Sequence, residues 1–270
     1  MSETEDLIVT QDGGVLTVTL NRPERLNALS DPMREAMVEV QGRAAEDDDI
    51  RVIVITGAGR GFCTGADLTN STGTPIVTPR KGPREPWYDG RWRWITGFRD
   101  LEKPVVTAIN GVTAGAGIAL ATVADVRFAS DLASFVPAFM QRAILPDAGS
   151  SYLLSRTLGP NRMLHMLYDG ERVSAEHALQ AGMIEEIVPH DQLMERVNSF
   201  ARKIATGPAV AIELTKRLAY RAWESPSLSE HAQYEQYLWT FSRSTSDYVE
   251  GRRAFQERRS PNFTGGPVEE

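Results

Sequence analysis

Two glycine-rich stretches carry the residue types that could do chemistry: Thr56-Gly57-Ala58-Gly59-Arg60-Gly61-Phe62-Cys63-Thr64-Gly65-Ala66-Asp67-Leu68 and Asn110-Gly111-Val112-Thr113-Ala114-Gly115-Ala116-Gly117-Ile118-Ala119-Leu120-Ala121. Small residues at a strand-to-helix corner let backbone approach a ligand closely and present N–H groups at a helix start. Two such corners are what an oxyanion hole requires, because its donors must be in place before negative charge develops; one donor is worth ~2.7–4 kcal/mol in a transition state.

Other chemistries fit less well. The first cluster reads G-x-G-x-G, and turn-forming residues continue where the phosphate-binding helix of a dinucleotide site should begin; a plain tight turn is the alternative. No G-x-S-x-G elbow is present, and Gly149-Ser150-Ser151 lacks the second glycine. The four histidines, His165, His177, His190 and His231, have no H-E-x-x-H spacing. Cys63 is the only cysteine, which excludes an internal disulfide and a cysteine-rich metal site and points to a reducing, cytoplasmic interior. No metal is expected. With 29 basic against 36 acidic residues and a net charge of −7, nucleic acid is not expected as a partner. The acidic start Met1 to Asp6 has no apolar leader run. Val105 to Ala124 is uncharged over a membrane-spanning length, but its Gly, Ala, Thr and Asn content predicts buried backbone and no membrane partner.

The elements that must position these residues follow from periodicity. At 270 residues, 41% hydrophobic and 24% charged, the chain suits one large core with an appendage, given ~150 residues per domain. Residues 1–200 are expected to form the core and 201–270 a helical C-terminal region. Leu7 to Thr10 and Val15 to Leu20, joined by Gln11-Asp12-Gly13-Gly14, predict a hairpin. Ser30 with Asp31-Pro32 predicts a helix running toward Ala45. The apolar runs Arg51 to Thr56 and Pro104 to Ile109, each leading into a helix-compatible segment, predict layered α/β architecture. Thr69 to Arg93 is long and weakly periodic, as loops covering a site are. Helices are expected at 152–158, 162–168, 175–181, 193–205 and 209–223, with a short strand at 183–188. The stripe Tyr234, Tyr237, Leu238, Phe241, Tyr248 and Phe255 is expected to pack on another domain or subunit.

These residues resemble the crotonase (enoyl-CoA hydratase/isomerase) superfamily over nearly the whole chain. The motifs are Leu20-Asn21-Arg22-Pro23 through Asn27-Ala28-Leu29, Gly61 to Leu68, Ile109-Asn110-Gly111 through Gly117, and Leu145 to Gly149, extended by Gly170 to Ala175, Ala181-Gly182-Met183 and Phe255 to Phe263. The resemblance implies an α/β spiral of ββα units with a helical C-terminal trimerisation region, a homotrimer or hexamer, and an acyl-CoA thioester as substrate with no separate cofactor. By matching positions, the amides of Ala66 and Ala116 would form the oxyanion hole, and backbone around Thr64, Gly65, Ala66 and Leu68 would hold adenine. Arg22, Arg25 and Arg258 or Arg259 are candidates for the CoA phosphates; each is equally readable as a solvated surface arginine.

Family hydratases place two glutamates over the substrate, and here those positions are Ala119 and Phe139. Hydration across a double bond needs water activation as well as protonation of carbon, so the departure disfavours it. A double-bond shift needs only one carboxylate, and Pro146-Asp147 in Leu145-Pro146-Asp147-Ala148-Gly149 is similar to members that shift double bonds or isomerise ring-epoxide thioesters; the resemblance implies Asp147 as that carboxylate, and the alternative is a cap on the helix that follows Ala148-Gly149-Ser150. Phe62, Phe135 and Phe139 are expected to wall the pocket beside Asp147 and raise its pKa. A hydratase with weak hydration and a non-catalytic acyl-CoA binder are the alternatives, and a dehalogenase-like reaction lacks a histidine before residue 165. Trp87, Trp92 and Trp94 either line the pocket or pack the loop down.

Overall fold

The structure, a computed structural model, describes residues 4–67, 90 and 92–265. Two β-branched runs at the start form β1 (Leu7–Asp12) and β2 (Val15–Leu20), paired antiparallel with Asp12 opposite Val15, so the connecting turn is the two residues Gly13-Gly14. Ser30 then accepts a hydrogen bond from the Met33 amide and starts α1 (Asp31–Glu46), as its sequence predicts. The runs that follow are β3 (Val52–Gly57) and β4 (Gly61–Cys63). After α2 (Arg93–Asp100) come β5 (Val105–Ile109), β6 (Val112–Ala114), α3 (Ala116–Thr122), β7 (Val126–Ser130) and β8 (Ser134–Val136).

The second half adds α4 (Ser150–Leu158), α5 (Pro160–Asp169), β9 (Val173–Ser174), α6 (Ala175–Ala181) and β10 (Glu186–Val188). Four helices close the described chain: α7 (Leu193–Ala205), α8 (Ala209–Ala222), α9 (Leu228–Ser242) and α10 (Ser246–Glu257). The strands make two sheets, one in the order β1-β2-β3-β5-β7-β10 and one in the order β4-β6-β8-β9. Within the larger sheet all pairs but β1–β2 are parallel.

A parallel sheet is apolar along its whole length only when both faces are covered, and β3 shows how. Its Val52 and Val54 pack with Val106, Phe128 and the α7 residues Leu193, Val197 and Ala201, while Ile53 and Ile55 face the larger core with Met33, Met37 and Ile118. The uncharged stretch from Val105 is accordingly a buried β5-β6-α3 unit in the middle of the fold. Among the described residues no helix is long and apolar enough to cross a membrane. The strand expected at 183–188 is shorter; the loop expected at 69–93 lies almost wholly outside the described residues, and its last residue, Arg93, begins α2.

Candidate active site

The two glycine-rich corners meet because one residue between them has no side chain. Gly65 has a φ of +85°, and a Cβ built on it would lie 3.1 Å from the Ala116 amide nitrogen and 3.0 Å from the Ala114 carbonyl oxygen. Likewise a Cβ at Gly117 would stand 2.1 Å from the Cys63 carbonyl oxygen, so the first turn of α3 seats directly on β4. Glycine is the residue that permits both the left-handed conformation and the close approach.

Each corner leaves one amide free, by different means. Ala116 is the first residue of α3, where an N–H has no carbonyl one turn back to bond. Ala66 pairs with Leu29 in an isolated parallel bridge, where Leu29 N–H donates to the Gly65 carbonyl and Asp67 N–H to the Leu29 carbonyl. The bridge uses the amides on either side of Ala66 and leaves its own without an acceptor among the described residues. Ala66 itself sits in a bridge, and the residues directly after Asp67 lie outside the described ones. Both alanines border one cavity of about 490 Å³.

Asp147 borders the same cavity. It arrives on a turn in which Ala148 and Gly149 both have positive φ, +51° and +83°. A non-glycine residue held there stores strain, which collects at functional sites. The capping alternative is overturned: Gly149 occupies the cap of α4 without a side-chain cap, and Asp147 contributes only its backbone carbonyl, accepting from Ser150 N–H at 2.8 Å. Burial pushes the half-buried Asp147 carboxyl above the ordinary aspartate range, and a hydrogen bond from its own backbone amide opposes that. Cys63 cannot compete as a nucleophile, because burial pushes its thiol up to about 12. Among the described residues no cluster could hold a metal ion.

The apolar wall is not the one expected. Phe62, Phe135 and Phe139 are fully buried core side chains, and Ala119 lies at 0% exposure in α3; none of the four borders the cavity. Its apolar lining comes instead from Leu29 and Val38 and from Trp92 and Trp94 at the start of α2. Along α1, Asp31, Arg34 and Glu35 bring charge to the same cavity, a contribution that sequence reading missed. Their position directly after Asn27-Ala28-Leu29, whose Leu29 bridges Ala66, was the available signal. Trp87 and Leu68 lie outside the described residues.

Of the arginines, Arg22 is a brace. Its guanidinium donates to the Ala28 carbonyl at 2.7 Å and to Asp67 at 2.8 Å, which fixes the residue next to Ala66. Arg259 is likewise committed, to Glu250 at 2.5 Å and Glu257 at 2.6 Å. Arg25 and Arg258 are exposed. Thr64 turns its hydroxyl to the Leu26 carbonyl at 3.2 Å, and Asn27 and Asn110 stitch the rest of the first corner, both donating to the Gly61 carbonyl.

Known proteins resemble this chain over nearly its whole length. The 1,2-epoxyphenylacetyl-CoA isomerase of Escherichia coli strain K12 is 39% identical over 254 residues, 93% of this chain and 95% of that protein. The (E)-benzylidenesuccinyl-CoA hydratase of Thauera aromatica is 35% identical over 252 residues, covering 93% of this chain and 96% of that one. The crystal structure of enoyl-CoA hydratase from Bacillus anthracis matches with a TM-score of 0.85 at 30% identity, over 97% of this chain and 100% of that chain. With residues 10–266 also matching its sequence model, the chain belongs to the enoyl-CoA hydratase/isomerase family, the crotonase-fold enzymes that act on acyl-CoA thioesters.

Proposed function

We propose that the protein isomerises an unsaturated acyl-CoA thioester, with Asp147 moving the proton and the amides of Ala66 and Ala116 holding the thioester oxygen. One observation carries this reading: a carboxyl whose pKa burial raises shares a cavity with two backbone amides that have no acceptor among the described residues. A thioester carbonyl acidifies its α-hydrogens, and two fixed donors lower the energy of the enolate that forms. A single carboxylate can remove a proton at one carbon and return it at another while that anion is held. Where family hydratases have glutamates this chain has buried Ala119 and Phe139, which supports isomerisation over hydration.

Trp92 and Trp94 suit a flat acyl group, and both relatives named above are named for thioesters that carry a six-membered carbon ring, aromatic in one and ring-epoxidised in the other. Arg25 and Arg258 are the exposed cations proposed for the CoA phosphates. Homotrimer or hexamer formation through the C-terminal helices is supported by exposed Tyr237, Phe241 and Phe255. Hydration is the second reading, favoured by Glu35 as a second carboxylate on the cavity.

The test is a turnover screen of enoyl, aryl and epoxy thioesters read by mass spectrometry and ultraviolet absorption. Isomerisation predicts a product of unchanged mass with a shifted spectrum, absent with Asp147→Asn although acyl-CoA still binds. A product heavier by one water, or Asp147→Asn turnover equal to wild type, overturns it.

A further inference from the structure

The cavity wall made by Trp92 and Trp94 is anchored from outside the site. Helix α2 is held on one side by α1, where the Gln41 side-chain amide donates to the Trp94 carbonyl at 3.0 Å. On another side it is held by Lys216 of α8, a residue only 8% exposed. The Lys216 ammonium donates to the Phe98 carbonyl at the end of α2 at 3.4 Å and to the Lys103 carbonyl at 3.0 Å, and pairs with Asp125 at 2.9 Å. Three acceptors thus meet the three donors an ammonium carries.

Asp125 in turn accepts from the Val105 amide at 2.7 Å and from the Tyr220 hydroxyl. A second clamp lies one residue along α2, where the Arg99 guanidinium sits 3.1 Å from the centre of the Tyr220 ring and 4.8 Å from that of Trp223. Burying an ammonium is costly unless every partner is in place. What this one secures is the end of α2 and the entrance to β5, and neither Lys216 nor Tyr220 borders the acyl cavity.

We infer that Lys216 is a positioning residue which, from the C-terminal helix α8, sets the place of the α2 wall and so the preference among acyl groups. The inference rests on the reading that the cavity takes the acyl portion of a CoA thioester. Arg25 and Arg258, the cations proposed for the CoA phosphates, do not line that cavity.

Calorimetric titration of phenylacetyl-CoA, acetyl-CoA and free CoA into wild type, Lys216→Met, the double variant Lys216→Met/Asp125→Asn and Arg99→Gln tests it. The double variant removes the charge that Lys216→Met leaves on half-buried Asp125 without its ammonium partner. The expected result is a Kd for phenylacetyl-CoA raised about fivefold or more in the Lys216 variants, a smaller rise in Arg99→Gln, and an unchanged Kd for free CoA. A purely stabilising role would lower Tm and leave the ratio of phenylacetyl-CoA to acetyl-CoA affinity untouched; that ratio unmoved in every folded variant overturns the inference. Should neither Lys216 variant fold, Arg99→Gln decides: a shifted ratio supports the clamp and an unshifted one overturns it. Wild type binding phenylacetyl-CoA no more tightly than free CoA overturns the acyl-cavity reading itself, and the inference with it.

Discussion

The two corners that meet at Gly65 reach the same end by opposite routes. At the second, the helix does the work: Ala116 has a free amide because the first turn of any α-helix has no acceptor to offer. At the first, the backbone at Ala66 is not helical, and a free amide there depends on side chains that hold irregular backbone in a bridge. Arg22 fixes Asp67, Asn27 donates to the carbonyls of Ala58 and Gly61, and Asn110 donates to those of Gly59 and Gly61. A donor site built from secondary structure tolerates changes nearby, whereas one built from a side-chain lattice fails with any strand of it.

Asp147→Asn spares both corners and removes only the proton carrier, so turnover should fall ~10²–10⁴-fold with acyl-CoA affinity retained. Stability should hold or rise in the same variant. A carboxyl whose folded pKa is raised is most stabilising when protonated, and that contribution is lost as pH rises through the raised pKa, so at neutral pH the charge is a liability. A clear fall in Tm at pH 7 would contradict this. Gly65→Val places a side chain between the corners, within 3.1 Å of the Ala116 nitrogen, and misplacement on this scale is expected to cost ~10²-fold in kcat/KM. Equal activity would show that the corners do not depend on each other.

Asn27→Ala should destabilise the first corner by ~1–3 kcal/mol for each backbone group it orphans, measured by urea unfolding. The second corner has no counterpart to it. The smallest effect expected is in the pH profile. The acid limb of kcat/KM should lie above the ordinary aspartate range, with activity lost as pH falls through the raised Asp147 pKa; a limb at the ordinary position would detach the limb from this group.

Sequence reading found the second corner more completely than the first, for the same physical reason. Asn110 to Ala121 announces a strand followed by a helix, and β5, β6 and α3 are there. At the first corner Ala66 pairs through a single bridge to Leu29, a pairing distant in the chain with no local signature. The hairpin and α1 were legible from the Gly13-Gly14 turn and the Ser30 cap. Strands of two or three residues in the smaller sheet carry too little periodicity to read. Hydrophobicity alone could not separate a cavity wall from core, so Phe62, Phe135 and Phe139 were placed at the substrate while Trp92 and Trp94 were left between two roles.

The central claim is that a backbone N–H at position 116 acts on the substrate, and Ala116→Pro tests it most directly. Proline is well accepted at the first position of a helix, where the N–H it lacks has no partner to lose. The variant should keep the helical content of wild type and bind free CoA as before, while kcat for isomerisation of a 3-enoyl-CoA falls ~10²–10³-fold. A folded Ala116→Pro protein that turns over at the wild-type rate would contradict the account.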